Sequence, residues 1–247
     1  MEENKFKLPT ETIDLPSKGL LYPSDNPLSS GKVEMKYMTA KEEDILTNAA
    51  YIKQGIVIDK LLKSLIVSPI NYNDLLVGDK NAIMIAARIL SYGASYEFEY
   101  DGVDQNIDLS LLEPKPLHPD YEKANSNNFQ FVLPNSKNVV TFKLLSHGDE
   151  AKIEEEIKGL KKINKESANE VTVRLSHIIT SINSSSDKKE IRDFVNNYFL
   201  AKDARAFRTY YNEISPDIDM NITLVNSEGV EEDVNLPIGI NFFWPDA

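Results

Sequence analysis

Apolar positions follow two rhythms along the chain, a period near two in short stretches and one near 3.6 in longer ones, and each predicts an element. Val33, Met35 and Tyr37 alternate with polar residues and predict a short strand. Before it, Pro9, Pro16, Gly19, Pro23, Pro27 and Gly31 punctuate the first 35 residues, which predicts an extended arm with turns, because proline removes a donor and restrains its predecessor. Thr39-Ala40-Lys41-Glu42 is a capping-box pattern that should open a helix running to about Tyr51, with Gly55 as its breaker. Ile58, Leu61, Leu62 and Leu65 recur at helical spacing until Pro69. A longer helix over Asp79 to Tyr92, stopped by Gly93, is apolar almost all the way round and should be central and buried.

Two hairpins follow. Ser95 to Tyr100 and Val103 to Ile107 flank Asp101-Gly102, a type I′ turn sequence. Phe129 to Leu133 and Val139 to Leu145 flank Pro134 to Asn138. Helices are then expected over Asp149 to Lys162, with Ile153, Ile157 and Leu160 on one stripe, and over Glu166 to Ile182, with Val171, Leu175, Ile178 and Ile182 inward. Asp187 to Glu190 resembles a capping box opening a helix with Ile191, Phe194, Val195 and Tyr198 inward, and Asp203 to Ile214 forms another. A third hairpin spans Asp219 to Leu236, before an aromatic tail. Helices and hairpins in this mixture predict an α+β fold. The Pro-, Asn- and Ser-rich stretch after Leu112 divides the chain into 1–113, a linker at 114–128, and 129–247.

The net charge of −12 disfavours phosphate backbones and anionic lipid, so neither nucleic acid nor a membrane is an expected partner. Lys158, Lys161, Lys162 and Lys165 follow Glu154 to Glu156, the acid-then-base order that a helix dipole favours. No apolar run approaches the roughly 18 residues of a membrane span, and the first residues lack the apolar core of a signal peptide, so a soluble, unexported chain is expected. The absence of cysteine excludes disulfides, thiolate nucleophiles and Cys-based zinc sites.

Candidate chemistry is sparse. His118, His147 and His177 have no metal-ligand spacing, phosphate-binding glycine loops are absent, and the acid clusters fit solvated faces, so no cofactor, metal or catalytic residue is expected. Arg88 stands out on the apolar helix, since a buried guanidinium calls for an acid; an internal ion pair is expected, with an anion site as the alternative. Phe242, Phe243, Trp244 and Pro245 form the tail, and two readings fit it. It is either a clasp on the chain's own core or an anchor for a partner.

The ordered set of Leu15 to Tyr22, Met38 to Glu43, Asp74 to Lys80, Ser91 to Tyr96, Leu133 to Ser136, Phe142 to Leu145, Gly148 to Glu150, Asp203 to Arg205 and Phe242 to Pro245 resembles the baseplate-hub assembly proteins of T-even-type contractile-tailed phages. The resemblance implies a non-enzymatic, chaperone-like hub or tail assembly factor in the host cytoplasm, with hub or tape-measure proteins as partners. A permanent baseplate subunit is the alternative, and a cell-wall-degrading hub enzyme a third reading. Many members of that family carry one Cys-x-x-Cys pair after the strand matching Tyr96 to Tyr100 and another between the strands of the last hairpin, which together suit one zinc. Here those places hold Asp101-Gly102-Val103-Asp104 and Asn226-Ser227-Glu228-Gly229. The two hairpins are therefore expected to pack together without metal.

Overall fold

The computed structural model describes residues 8–122, 124, 126–163 and 169–243. The fold is α+β, with helices joined to small antiparallel sheets. The arm is more regular than its prolines suggest. Strand β1 (Thr10–Asp14) pairs with β2 (Lys32–Lys36) in the register Ile13↔Val33. The long connection between them is folded back on itself by the turn after Leu15. There Gly19 and Gly31 face each other with positive φ, and a Cβ on Gly19 would lie 2.4 Å from the Ser29 carbonyl oxygen.

The expected capping box forms, with Thr39 N–H donating to Glu42 Oε2 at 3.0 Å at the start of α1 (Ala40–Leu46). The helix does not run on to Tyr51. Asn48 caps a fresh helix, α2 (Ala49–Gln54), by accepting from Ala50 N–H and Tyr51 N–H. A side chain that satisfies the first orphan amides of a new turn competes with continuation of the old one. Helix α3 (Val57–Leu65) buries Val57, Leu61, Leu62 and Leu65, and α4 (Val77–Tyr92) is the central helix. Strands β3 (Ser95–Tyr100) and β4 (Val103–Asp108) turn at Asp101 and Gly102, both with positive φ.

In the second half, β5 (Phe129–Val132), β6 (Val139–Phe142) and β7 (Ile179–Ile182) form a three-stranded sheet with β6 in the middle. Helices α5 (His147–Ile163) and α6 (Glu170–Ile178) cover it. Ile179 to Ile182 was expected to continue the α6 helix; instead it pairs as strand with β6, Val140 opposite Ile182. The run Ile-Thr-Ser-Ile suits either state, and the free edge of β6 decides it. Val171 is accordingly exposed, while Val173, Leu175 and Ile178 point inward. Beyond α7 (Lys188–Asp193) the chain takes a π turn over Phe194–Tyr198, closed by Phe199 N–H donating to the Phe194 carbonyl at 2.9 Å. The wider turn rotates the following side chains, so Tyr198 points to solvent and Phe199 packs inward in its place. Helix α8 (Ala201–Ile214), strands β8 (Asn221–Val225) and β9 (Glu231–Asn235), and the short α9 (Ile240–Phe243) complete the chain.

The apolar interior forms two clusters, and they do not follow the division at 114–128. Leu21 and Leu76 from the first half join the second core, whereas Leu236, Phe242 and Phe243 from the far end join the first. The expected linker is itself packed. Tyr121 is buried in the second core, Asn127 exchanges hydrogen bonds with Leu144, and Lys115 N–H donates to the Asp217 carbonyl. The two hairpins meet as expected: Asp101 accepts from Ser227 N–H at 3.0 Å, and Gln105 Nε2–H donates to the Val225 carbonyl at 2.8 Å.

Two residues give direct tests. A Cβ on Gly78 would lie 1.7 Å from the Pro216 carbonyl oxygen, so Gly78→Ala should cost about 3 kcal/mol in chemical denaturation, at the upper end for overpacking. Buried Glu42 accepts from Lys36, Thr39 and Ser64. Burial alone would push its carboxyl up, but these donors outweigh it and pull it down to about 2. Its contribution to stability should therefore be complete above pH 4.5 and vanish as the pH falls toward 2. The stability gap between Glu42→Gln and the parent, followed across that range, checks the sign.

Candidate docking groove

The residues singled out by sequence do not gather into one site. Phe242 and Phe243 are fully buried in the first core. The Phe242 ring meets Tyr96 edge-on at 4.9 Å and Phe243 at 5.1 Å, while Tyr96 Oη–H donates to the Pro237 carbonyl. Trp244 and Pro245 lie outside the described residues. Arg88 is buried, but the expected ion pair does not form among the described residues. Its guanidinium donates to the carbonyls of Gly93 at 2.9 Å and Ser95 at 3.0 Å, and lies over the rings of Tyr92 and Tyr96. The Gly93 carbonyl just past α4, where a helix C-terminus presents partial negative charge, and the Ser95 carbonyl of β3 stand in place of the acid. His118 lies by Asp120, 3.5 Å away, and His177 binds Glu156 at 2.8 Å on the flank of α5.

An open groove of about 1010 Å³ lies between the two halves. Its first wall is the α2–α3 corner, with Ile56, Ile58, Asp59, Lys60 and Lys63. Val77, Lys80, Asn81 and Met84 from the start of α4 form its floor. The opposite wall is one face of α5, where His147, Glu150, Ala151, Glu154, Lys158 and Lys162 recur every three or four residues. Ile153, Ile157 and Leu160 on the other face pack on the second core. The α5 helix is thus held by one side and open along the other.

At the bottom of the groove the polar groups satisfy one another. Asp59 Oδ1 accepts from Lys80 Nζ at 2.7 Å and from Tyr72 Oη–H at 2.9 Å, and His147 Nε2 lies 3.7 Å from Asp59 Oδ2. The His147 ring stands edge-on to Tyr72 at 4.6 Å, and Lys63 Nζ sits 4.7 Å from the Tyr72 ring centre. Burial would raise Asp59, but Lys80, Tyr72 and His147 together hold it below the usual carboxylate range. Burial lowers His147, reinforced by Lys80 and Lys63 against the pull of Asp59. Glycoside cleavage needs a carboxyl kept protonated near neutrality, and Asp59 is tuned the opposite way. Asp79 and Asp217 are raised by burial, yet they are taken up by Ser17 and Tyr22, and by Asn81.

Higher up, the charges do not balance. Glu150 is paired with Arg174, and Glu154 with Lys158. Lys60, Lys63 and Lys162 have no carboxylate partner among the described residues, and Glu155 is the acid left over.

A family model described as T4 bacteriophage base plate protein matches residues 10–244, which takes in both cores and both walls of the groove. The chain belongs to that family. No curated protein and no solved structure matches it. This base plate protein has no helix long and apolar enough to cross a membrane, and no cluster of His, Asp and Glu fit for a metal, among its described residues.

Sequence reasoning missed the groove because its walls come from positions about 90 residues apart. The one local signal was the polar face of α5, which carries more charge than a solvated face needs and includes Ala151 and Gly159, small residues that admit close approach. Burial of the tail also has a measurable consequence. Phe242→Ala or Phe243→Ala should each lower unfolding free energy by about 3–5 kcal/mol, read by chemical denaturation, whereas anchors reserved for a partner would leave it unchanged.

Proposed function

We propose that this base plate protein acts by holding other proteins during construction of the baseplate hub or tail, without catalysis. The groove between its two cores is the docking site, and hub or tape-measure proteins are its partners. The observation that carries this reading is the open groove itself, in which half-buried Ile56, Ile58, Val77 and Met84, and Lys60 and Lys63 without carboxylate partners among the described residues, face Lys162 on the open side of α5. Such a surface has what recognition needs, namely shape, some apolar area and uncompensated charge. Asp59 at its bottom is held below the usual carboxylate range by Lys80, Tyr72 and His147, which suits binding rather than proton transfer. The net charge of −12 favours protein over nucleic acid as the partner, and the assembly role places its work in the host cytoplasm.

A second reading, a permanent virion subunit, draws support from the family's description as a base plate protein. Quantitative mass spectrometry of purified virions and of infected-cell lysate separates the two. An assembly factor should be abundant in the lysate and absent from virions. A fixed ratio to other baseplate proteins in the particle would overturn it in favour of the subunit. Deleting the tail is a poor probe of partner binding, because Phe242 and Phe243 hold the first core together.

A further inference from the structure

The charge of this molecule is unevenly distributed. The joined hairpins, residues 95–108 and 221–235, contain nine acidic residues and no lysine or arginine. Glu97, Glu99, Asp101, Asp104 and Asp108 on the first hairpin, and Glu228, Glu231, Glu232 and Asp233 on the second, are all exposed. The tip of the second hairpin also presents Val225 and Val230 to solvent. At the other end of α4 the groove offers the complement: half-buried Ile56, Ile58, Val77 and Met84, flanked by Lys60, Lys63 and Lys162 without carboxylate partners among the described residues.

We propose that the groove receives the acidic β8–β9 hairpin of a second copy of this chain. The inference rests on the docking reading of the groove given above. Val225 and Val230 would cover the apolar strip, while Glu228 and Glu231, which have no basic partner within their own molecule among the described residues, would meet the three lysines. A molecule cannot fill its own groove, because the two surfaces lie at opposite ends of α4, whose 16 residues span about 24 Å. The contact is therefore between copies and uses two different patches. Contacts of that kind propagate into a ring if the rotation closes, and into a filament if it does not. Repulsion between whole molecules of net charge −12 does not forbid this, since screening at physiological salt confines it to about 8 Å and the facing charges decide.

Sedimentation equilibrium of the full chain over a range of concentrations tests the proposal. The parent should show mass rising with concentration. The variant Lys60→Glu/Lys63→Glu/Lys162→Glu, and separately Glu228→Lys/Glu231→Lys, should each associate at least about tenfold more weakly, with unchanged circular dichroism. An equimolar mixture of the two should recover association toward that of the parent, because the reversed groove of one variant faces the reversed hairpin of the other, and the unaltered lysines of the second face the unaltered carboxylates of the first. That recovery requires both variants to be folded, so misfolding cannot imitate it. A parent that stays monomeric, a variant that associates like the parent, or a mixture that stays monomeric each overturns self-pairing. If the parent is monomeric but the lysine variant fails to co-purify with hub proteins from infected cells, self-pairing is wrong and the docking groove stands with another occupant. If co-purification also survives, both fall.

Discussion

The structure depends on the close approach of two chain segments at the beginning of α4. Six consecutive residues there each join distant parts of the molecule. Leu76 N–H donates to Tyr22 Oη, Val77 N–H to the Leu145 carbonyl, and Gly78 lies directly beneath the carbonyl of Pro216. Asp79 accepts from Ser17 and Tyr22, Lys80 binds Asp59, and Asn81 donates to Asp217. A helix can serve as such a junction only if its first turn carries unsatisfied amides for its neighbours and a residue without Cβ where the backbones cross.

The same helix solves two problems of buried charge without an ion pair. Asp79 is fully buried at its N-terminal end and accepts from one amide and two hydroxyls; Arg88 is buried toward the other end and donates from its two terminal nitrogens to two carbonyls, its Nε left without a partner among the described residues. The sign of each charge matches the end of the helix it occupies, so the backbone dipole supplies part of the compensation that a counter-ion would otherwise provide. One consequence is mechanical. Asp79 fixes the arm around Ser17 to Tyr22, and Arg88 fixes the entry into β3, so the groove at one end and the acidic hairpins at the other are held by a single rigid element.

The open concavity lies between the cores, whereas Phe242 and Phe243 are enclosed. Phe242 and Phe243 close the first core from inside, next to Tyr96, beside the contact of β8–β9 with β3–β4. What the hairpins leave outside is a dense field of carboxylates, with Asp101 accepting from Ser227 at turns that offer no cysteine. Surface charge in this protein is thus polarised along α4.

The elements with strong local causes were legible in the sequence. The capping box at Thr39, the Asp101-Gly102 turn and the stripe of Leu61, Leu62 and Leu65 each form from neighbours within a few residues. The ordered motifs that resemble the phage proteins were equally legible, and the match over residues 10–244 places the chain in a base plate family. Tertiary structure decided the rest. Ile179 to Ile182 became a strand because β6 had an edge to fill, and Tyr198 turned outward because one π turn shifted the phase of the helix. Arg88 found carbonyls in place of an acid, and Phe242 returned to a core begun more than 200 residues earlier at Leu15. The groove itself arises where α3 and α5 face across α4. Sequence periodicity records which face of an element is apolar, but it contains no term for which other element that face will meet.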